Sequence, residues 1–183
     1  MSGQVLILPG LYNSGSEHWQ THWEKAHPDF KRVEQDDWDR PRCSDWIARL
    51  EDAVREAGPD TVLVAHSLAC NLVVRWAEAT RQPREWVRGA LLVAPSDVEA
   101  PSYPEGTEGF KPMPRNRLPF PSIVVASSDD PYVTLERAGE FARAWGSKFV
   151  DIGPAGHVNS ASRLGDWLVG FALLERLRGG EKL

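Results

Sequence analysis

The sequence predicts an α/β fold, a three-layer α/β/α sandwich around about six mostly parallel strands, in one domain spanning residues 1–183. Three observations carry this. Short apolar runs alternate with amphipathic stretches at helical spacing along nearly the whole chain, the signature of strand–helix–strand units that cover both faces of a sheet. A length of 183 residues suits one domain with its own core. Hydrophobic residues make up 42% and charged residues 26%, an ordinary balance for a globular protein.

The elements follow in order. Val5–Leu8 is a short apolar run that stops at Pro9-Gly10, a buried strand ending in a turn. Residues 16–27 carry Trp19, Trp23 and Ala26 at helical spacing, with Ser16 as the expected N-cap. Residues 31–35 read as a weak second strand. Ser44 is the expected cap of the next helix, whose stripe of Trp46, Ile47, Leu50, Ala53, Val54 and Ala57 stops at Gly58-Pro59. Residues 61–65 form a β-branched strand running into His66-Ser67-Leu68 and then a helix marked by Leu72, Val73, Trp76 and Ala77. Further strands are expected at 89–94, 122–127 and 148–152, with a helix over 134–145. A last helix is expected over 160–176, with Leu164, Trp167, Leu168, Phe171 and Leu174 inward. The tail from Arg178 reads as frayed.

One segment breaks the alternation. Residues 95–121 hold seven of the chain's 14 prolines. Proline removes backbone donors and blocks helices, so this is a long irregular loop. It leaves a strand at the C-terminal edge of the sheet, where open α/β sheets bind ligands, and is expected to border the functional site.

Bulk properties exclude several functions. A net charge of −5 offers no basic face for nucleic acid. Two cysteines make no secreted disulfide framework, and the N-terminal apolar run is too short for a signal peptide or a membrane span. A cytoplasmic protein without membrane or nucleic-acid partners is expected. His18 and His22 are spaced to share a metal but lack a third ligand, so no metal is expected. No phosphate-binding glycine loop is present and no cofactor is expected. Cys70 reads as a small buried residue, and His66 as packing beneath the turn.

The segment Ala65-His66-Ser67-Leu68-Ala69 lies between a strand and a helix, the setting of a nucleophile elbow. That turn lifts a serine hydroxyl clear of the sheet, and small residues two before and two after it let strand and helix approach. Alanines stand here where glycines are usual; a helix-capping serine is the plain alternative. A nucleophilic serine needs a base, and the base an orienting acid, in the chain order serine, acid, histidine. His157, in a turn after the last strand, is the one histidine after Ser67. Asp129, Asp130, Asp97 and Asp151 all satisfy the order for the acid. Asp151 sits within a strand, and Asp97 would need the proline-rich loop to fold back. An oxyanion needs two donors: the backbone N–H of Leu68, and that of Leu11 in the loop after the first strand. Tyr12, Trp38 and Phe110 are candidates to line an apolar acyl pocket, although core packing is the ordinary place for such rings.

Several motifs in order give the chain a resemblance. They are Leu6-Ile7-Leu8-Pro9-Gly10 with Glu17-His18-Trp19, then Gln35-Asp36-Asp37-Trp38, Ala65-His66-Ser67-Leu68-Ala69-Cys70 and Ala94-Pro95-Ser96-Asp97. Residues Ser127-Ser128-Asp129-Asp130-Pro131-Tyr132-Val133 and Gly156-His157 complete the set. Over nearly its full length the chain resembles the small serine hydrolases of the YdeN and retinoblastoma-binding-protein-nine family, a compact branch of the α/β-hydrolase fold without a large cap domain. The resemblance implies a triad of Ser67, Asp130 and His157; Asp130 is chosen because Asp130 to Val133 matches the register usual for the hydrolase acid. It implies esterase-like cleavage of small acyl substrates through an acyl-enzyme. A protein-binding module on the same fold, or a peptidase or acyltransferase on the same triad, are the alternatives, and a protein partner is not specified.

Overall fold

The computed structural model describes residues 3–180. Six strands form one sheet: β1 (Val5–Leu8), β2 (Phe30–Arg32), β3 (Thr61–His66), β4 (Val87–Val93), β5 (Ser122–Ala126) and β6 (Lys148–Asp151). Their order is β2-β1-β3-β4-β5-β6, and every pairing is parallel. Five helices flank them: α1 (Trp19–Ala26), α2 (Cys43–Ala57), α3 (Leu68–Ala79), α4 (Leu135–Trp145) and α5 (Leu168–Arg178). This is the three-layer arrangement expected from the alternation.

The period of two along each strand divides the core. Leu6, Leu8, Leu63, Ala65, Leu92 and Val124 face one way, against Trp46 of α2, Trp76 of α3 and Phe141 of α4. Val5, Ile7, Val62, Val64, Leu91 and Val125 face the other way, against Trp19 and Trp23 of α1 and Leu174 of α5. Burial on both faces explains why the central strands read as unbroken apolar runs.

The strand order has a functional consequence. From β1 the chain first builds outward to β2, then crosses back to β3 on the other side. The loops leaving β1 and β3 therefore diverge, opening a crevice at the C-terminal edge between them. Gly10 and Ser67 stand at that crevice.

Several local expectations shift. The second strand is Phe30–Arg32 rather than 31–35; it is an edge strand, so only part of it is buried. Helix α1 is capped by His18, whose Nδ1 accepts from Gln20 N–H, and not by Ser16. Ser44 does not cap α2: the helix begins at Cys43, whose N–H donates to the Glu108 carbonyl at 2.8 Å. The last helix starts at Leu168 rather than residue 160. A 3₁₀ turn, Ser160–Ser162, comes first, and Arg163, Gly165 and Trp167 then take positive φ, which no helix continues. Leu168 consequently points outward, 78% exposed, instead of into the core. Arg178 closes α5 and pairs with Asp29; residues 181–183 of the tail read as frayed lie outside the described residues. Among the described residues no helix is long and apolar enough to cross a membrane.

Residues 94–121 carry no helix or strand, only an isolated bridge between Glu108 and Arg42. Specific bonds nevertheless bind the loop to the helices. Asn71 Nδ2 donates to the Phe110 carbonyl, Trp145 Nε1 to the Pro114 carbonyl, and Leu118 N–H to the Trp145 carbonyl. Phe110, Met113 and Leu118 thereby join the core on the α2–α4 side.

Trp19 ties α1 to the turn that carries His157. Its ring packs on Trp23 and Trp167, and its Nε1 donates to the buried Val158 carbonyl at 2.7 Å. Trp19→Phe keeps an aromatic ring but removes that donor and leaves a void. An expected loss of about 2–4 kcal/mol is measurable as a lowered urea midpoint at unchanged m-value; an unchanged midpoint would show that the bond holds nothing.

Candidate active site

The centre of the site is a backbone feature. Ser67 joins β3 to α3 at φ 58° and ψ −121°, a conformation that L-residues rarely hold. Its N–H donates to the Val93 carbonyl at 2.9 Å, anchoring the strained residue to the end of β4. Ala65 and Ala69 are fully buried, so two methyl groups fit where the strand enters and the helix leaves. The Ser67 side chain makes no capping bond to α3, which removes the plain capping alternative.

The hydroxyl turns instead toward His157. Ser67 Oγ lies 2.8 Å from His157 Nε2. His157 Nδ1 lies 2.9 and 2.8 Å from the two oxygens of Asp130. A carboxylate only accepts, so Nδ1 carries the proton and Nε2 is left as an acceptor for the Ser67 hydroxyl. The Asp130 side chain is wholly buried and that of His157 is 8% exposed, so the chain of bonds is shielded from water.

The other acidic candidates lie elsewhere. Asp97 binds the Arg137 guanidinium with both oxygens. Asp151 accepts from Gly153 N–H. Asp129 accepts from the Ser127 hydroxyl and from Gly156 N–H, bonds that hold its carboxyl below the usual range. With Ser127 Oγ accepting from Ala155 N–H, it straps the His157 turn to the end of β5.

Gly10 brings the loop after β1 onto the elbow. A β-carbon placed there would stand 2.8 Å from Ser67 Cβ and 3.2 Å from Leu68 N, so only glycine permits this approach. Asn13 N–H donates to the Gly10 carbonyl across a turn that carries Tyr12 at φ 67°. Tyr12 N–H donates to the Trp38 carbonyl. Arg32 steadies the loop by donating to Asn13 Oδ1 and the Ser14 carbonyl. Gln20, buried beneath, bonds the carbonyls of Leu8 and Val64 and so ties β1 to β3. Among the described residues neither Leu11 N–H nor Leu68 N–H has a hydrogen-bond partner; Leu11 lines the cavity with Ser67, and Leu68 follows Ser67 directly.

A cavity of about 240 Å³ opens above Ser67, walled by Leu11, Tyr12, His18, His66, Ser96, Tyr103, Pro104, Tyr132 and His157. Ser96, Tyr103 and Pro104 come from the proline-rich loop. Of the three aromatic residues expected to line a pocket, only Tyr12 does so. Phe110 is completely buried, edge-on to Trp46, and Trp38 packs on the same ring. Their rings fill the α2 side of the core.

The wall includes residues that the sequence does not single out for the site, among them Ser96, Tyr132 and His18. Ser96 Oγ lies 2.5 Å from Ser67 Oγ. Tyr132 sets its ring edge-on to His157 at 4.6 Å. His18, singled out in the sequence for its spacing from His22, is buried; since its Nδ1 accepts from Gln20, its Nε2 bears the proton and has no partner among the described residues. Burial, with Arg32 and His157 nearby, lowers the His18 pKa to about 3. Burial likewise depresses His66, whose Nε2–H donates to the His157 carbonyl at 2.8 Å and supports that turn from below. Cys70 is buried against the Ala65 and Val93 carbonyls, and burial pushes its thiol pKa up, as befits an inert small residue.

The family model described as serine hydrolase matches residues 5–176. YdeN of Bacillus subtilis (strain 168), described as a hydrolase, is 28% identical over 166 residues, which cover 86% of each chain. The crystal structure of a YdeN-like hydrolase from Pectobacterium atrosepticum SCRI1043 has a TM-score of 0.84 at 27% identity, covering 96% of this chain and 90% of its own. The monoacylglycerol lipase of Paleococcus ferrophilus has a TM-score of 0.71 at 13% identity, over 98% and 95% of the two chains, and shares the fold. The likeness to YdeN read from the sequence is thus borne out, as is the α/β-hydrolase fold.

The buried imidazoles give a pH dependence. His18 stays neutral in the folded state down to about pH 3, whereas in the unfolded chain it protonates near the ordinary value of about 6.5. Between those values the unfolded state binds the extra proton, so stability is complete above the window and falls as pH drops through it. His18→Asn keeps a capping side chain but not the titration. Its unfolding free energy should fall less steeply from pH 6 to pH 4, by up to about 1.4 kcal/mol per pH unit. Denaturation curves at several pH values check this; parallel profiles for both proteins would contradict it.

Proposed function

The chain belongs to the serine hydrolase family, and from that premise we propose that it cleaves small acyl esters through Ser67, His157 and Asp130. The observation that carries the reading is the unbroken line of hydrogen bonds from Asp130 through His157 to a serine held at positive φ. His157 Nε2 takes the Ser67 proton as Oγ attacks the acyl carbon, while Asp130 stabilises the imidazolium that forms. The unpartnered N–H groups of Leu11 and Leu68 receive the oxyanion. His157 then gives its proton to the departing alcohol, and water activated by the same imidazole releases the acid from the acyl-enzyme.

The size of the cavity supports a small substrate. At about 240 Å³ it falls below the roughly 300–1,000 Å³ usual for drug-sized ligands. Tyr12, Tyr103 and Tyr132 offer ring surface to an acyl or alcohol group. A cytoplasmic setting belongs to the same proposal, supported by Cys43 and Cys70, both buried free thiols.

A fluorophosphonate probe and p-nitrophenyl acetate test this together. Wild-type protein is expected to label and to turn over the ester. Ser67→Ala and His157→Ala should abolish labelling, and Asp130→Asn should lower kcat by roughly 10³–10⁴-fold. Clean, folded wild type that neither labels nor exceeds Ser67→Ala in turnover would overturn the reading in favour of a binding module.

A further inference from the structure

Ser96 stands closer to the nucleophile than any function so far given it explains. It lies three residues past the end of β4 and is 2% exposed. Its hydroxyl lies 2.5 Å from Ser67 Oγ. Counting protons fixes the direction of that bond. His157 Nδ1–H is committed to Asp130, so Nε2 accepts and the single Ser67 proton is committed to Nε2. The proton between the two serines therefore belongs to Ser96, which donates to the nucleophilic oxygen while the enzyme rests.

The surroundings hold Ser96 in place from both sides. Before it, Ala94 N–H donates to the Val125 carbonyl at 2.8 Å, with Ala94 itself at φ 49°. After it, Asp97 N–H donates to the Tyr132 carbonyl at 3.0 Å, and the Asp97 carboxylate grips Arg137. A serine serving only as small filler needs no such fixing. Its hydroxyl also lines the cavity above Ser67.

Acylation changes what Ser96 can do. Once Ser67 Oγ is an ester oxygen it is a poor acceptor, and the Ser96 hydroxyl is freed. Ser96 Oγ and His157 Nε2 both lie within hydrogen-bond distance of Ser67 Oγ, so they are near enough for one water to touch both. We propose that Ser96 is a further catalytic residue that holds the hydrolytic water during deacylation. One hydrogen of that water bonds His157 Nε2 and the other bonds Ser96 Oγ, leaving an oxygen lone pair facing the acyl carbon. His157 takes the first proton as the new carbon–oxygen bond forms. The bond from the acyl carbon to Ser67 Oγ then breaks, and His157 returns the proton to Ser67. The second hydrogen stays on the former water oxygen.

This role rests on the acyl-enzyme reading, and the test separates the two. Wild type, Ser96→Ala and Ser96→Thr are mixed with p-nitrophenyl acetate, and the acetyl adduct is followed by quenched intact-protein mass spectrometry beside steady-state kinetics. Ser96→Ala is expected to acylate at close to the wild-type rate and to lose the adduct about tenfold more slowly, the effect of one lost hydrogen bond. Its kcat and KM should then fall together, leaving kcat/KM nearly unchanged. Ser96→Thr, which keeps the hydroxyl, should restore adduct loss. Equal adduct decay in wild type and Ser96→Ala would overturn the role of Ser96 alone. So would a fall in kcat/KM with unaltered decay, which would mark Ser96 as holding only the nucleophile. A wild type that forms no adduct on Ser67 would overturn both readings.

Discussion

The site depends on one strained residue. Ser67 occupies a positive-φ conformation between the last residue of β3 and the first of α3, and the groups packed on it keep it there. β4 takes its N–H, Gly10 presses the neighbouring loop against its β-carbon, and buried alanines let strand and helix close on either side. Because its φ is unfavourable, the conformation persists only where the surroundings over-determine it. In return the hydroxyl stands clear of the helix and meets an imidazole brought in from β6. Parallel topology makes the meeting possible: the loops after β1, β3, β4, β5 and β6 all leave at one edge.

That topology was largely legible in the sequence because strands buried on both faces must be apolar throughout. Legibility failed where burial is partial or where distant groups satisfy the backbone. β2 lies at the edge, so its pattern was weak and its limits shifted. Helix starts were misplaced because an imidazole caps α1 and a carbonyl from residue 108 receives the first N–H of α2. Neither is encoded beside the helix. Before α5, Leu164 and Trp167 keep helical spacing while packing from turns, so their period imitates a helix that begins later.

Ser67 and His157 stand out in the sequence for a physical reason: each follows a strand, in the chain order that acyl-transfer chemistry requires. That order alone does not separate Asp130 from Asp129, Asp97 and Asp151; the family resemblance does, and Asp130 is the carboxylate that lies against His157. Rings were harder to place, since the same residue type fills a core or lines a cavity. Phe110 and Trp38 went to the core, whereas Tyr12 is 62% exposed at the site. Ser96 also follows a strand and carries a hydroxyl, the signal that could have marked it. His18 belongs to the motif Glu17-His18-Trp19, but its cap and its burial beside His66 arise from tertiary packing.

The most direct measurement is a crystal structure of the protein after reaction with a fluorophosphonate. Phosphorus bonded to Ser67 Oγ is expected, with one phosphoryl oxygen within hydrogen-bond distance of the N–H groups of Leu11 and Leu68 and His157 still joined to Asp130. Phosphorus on another residue, or a phosphoryl oxygen turned away from both N–H groups, would contradict the central claim that this elbow is built for acyl transfer.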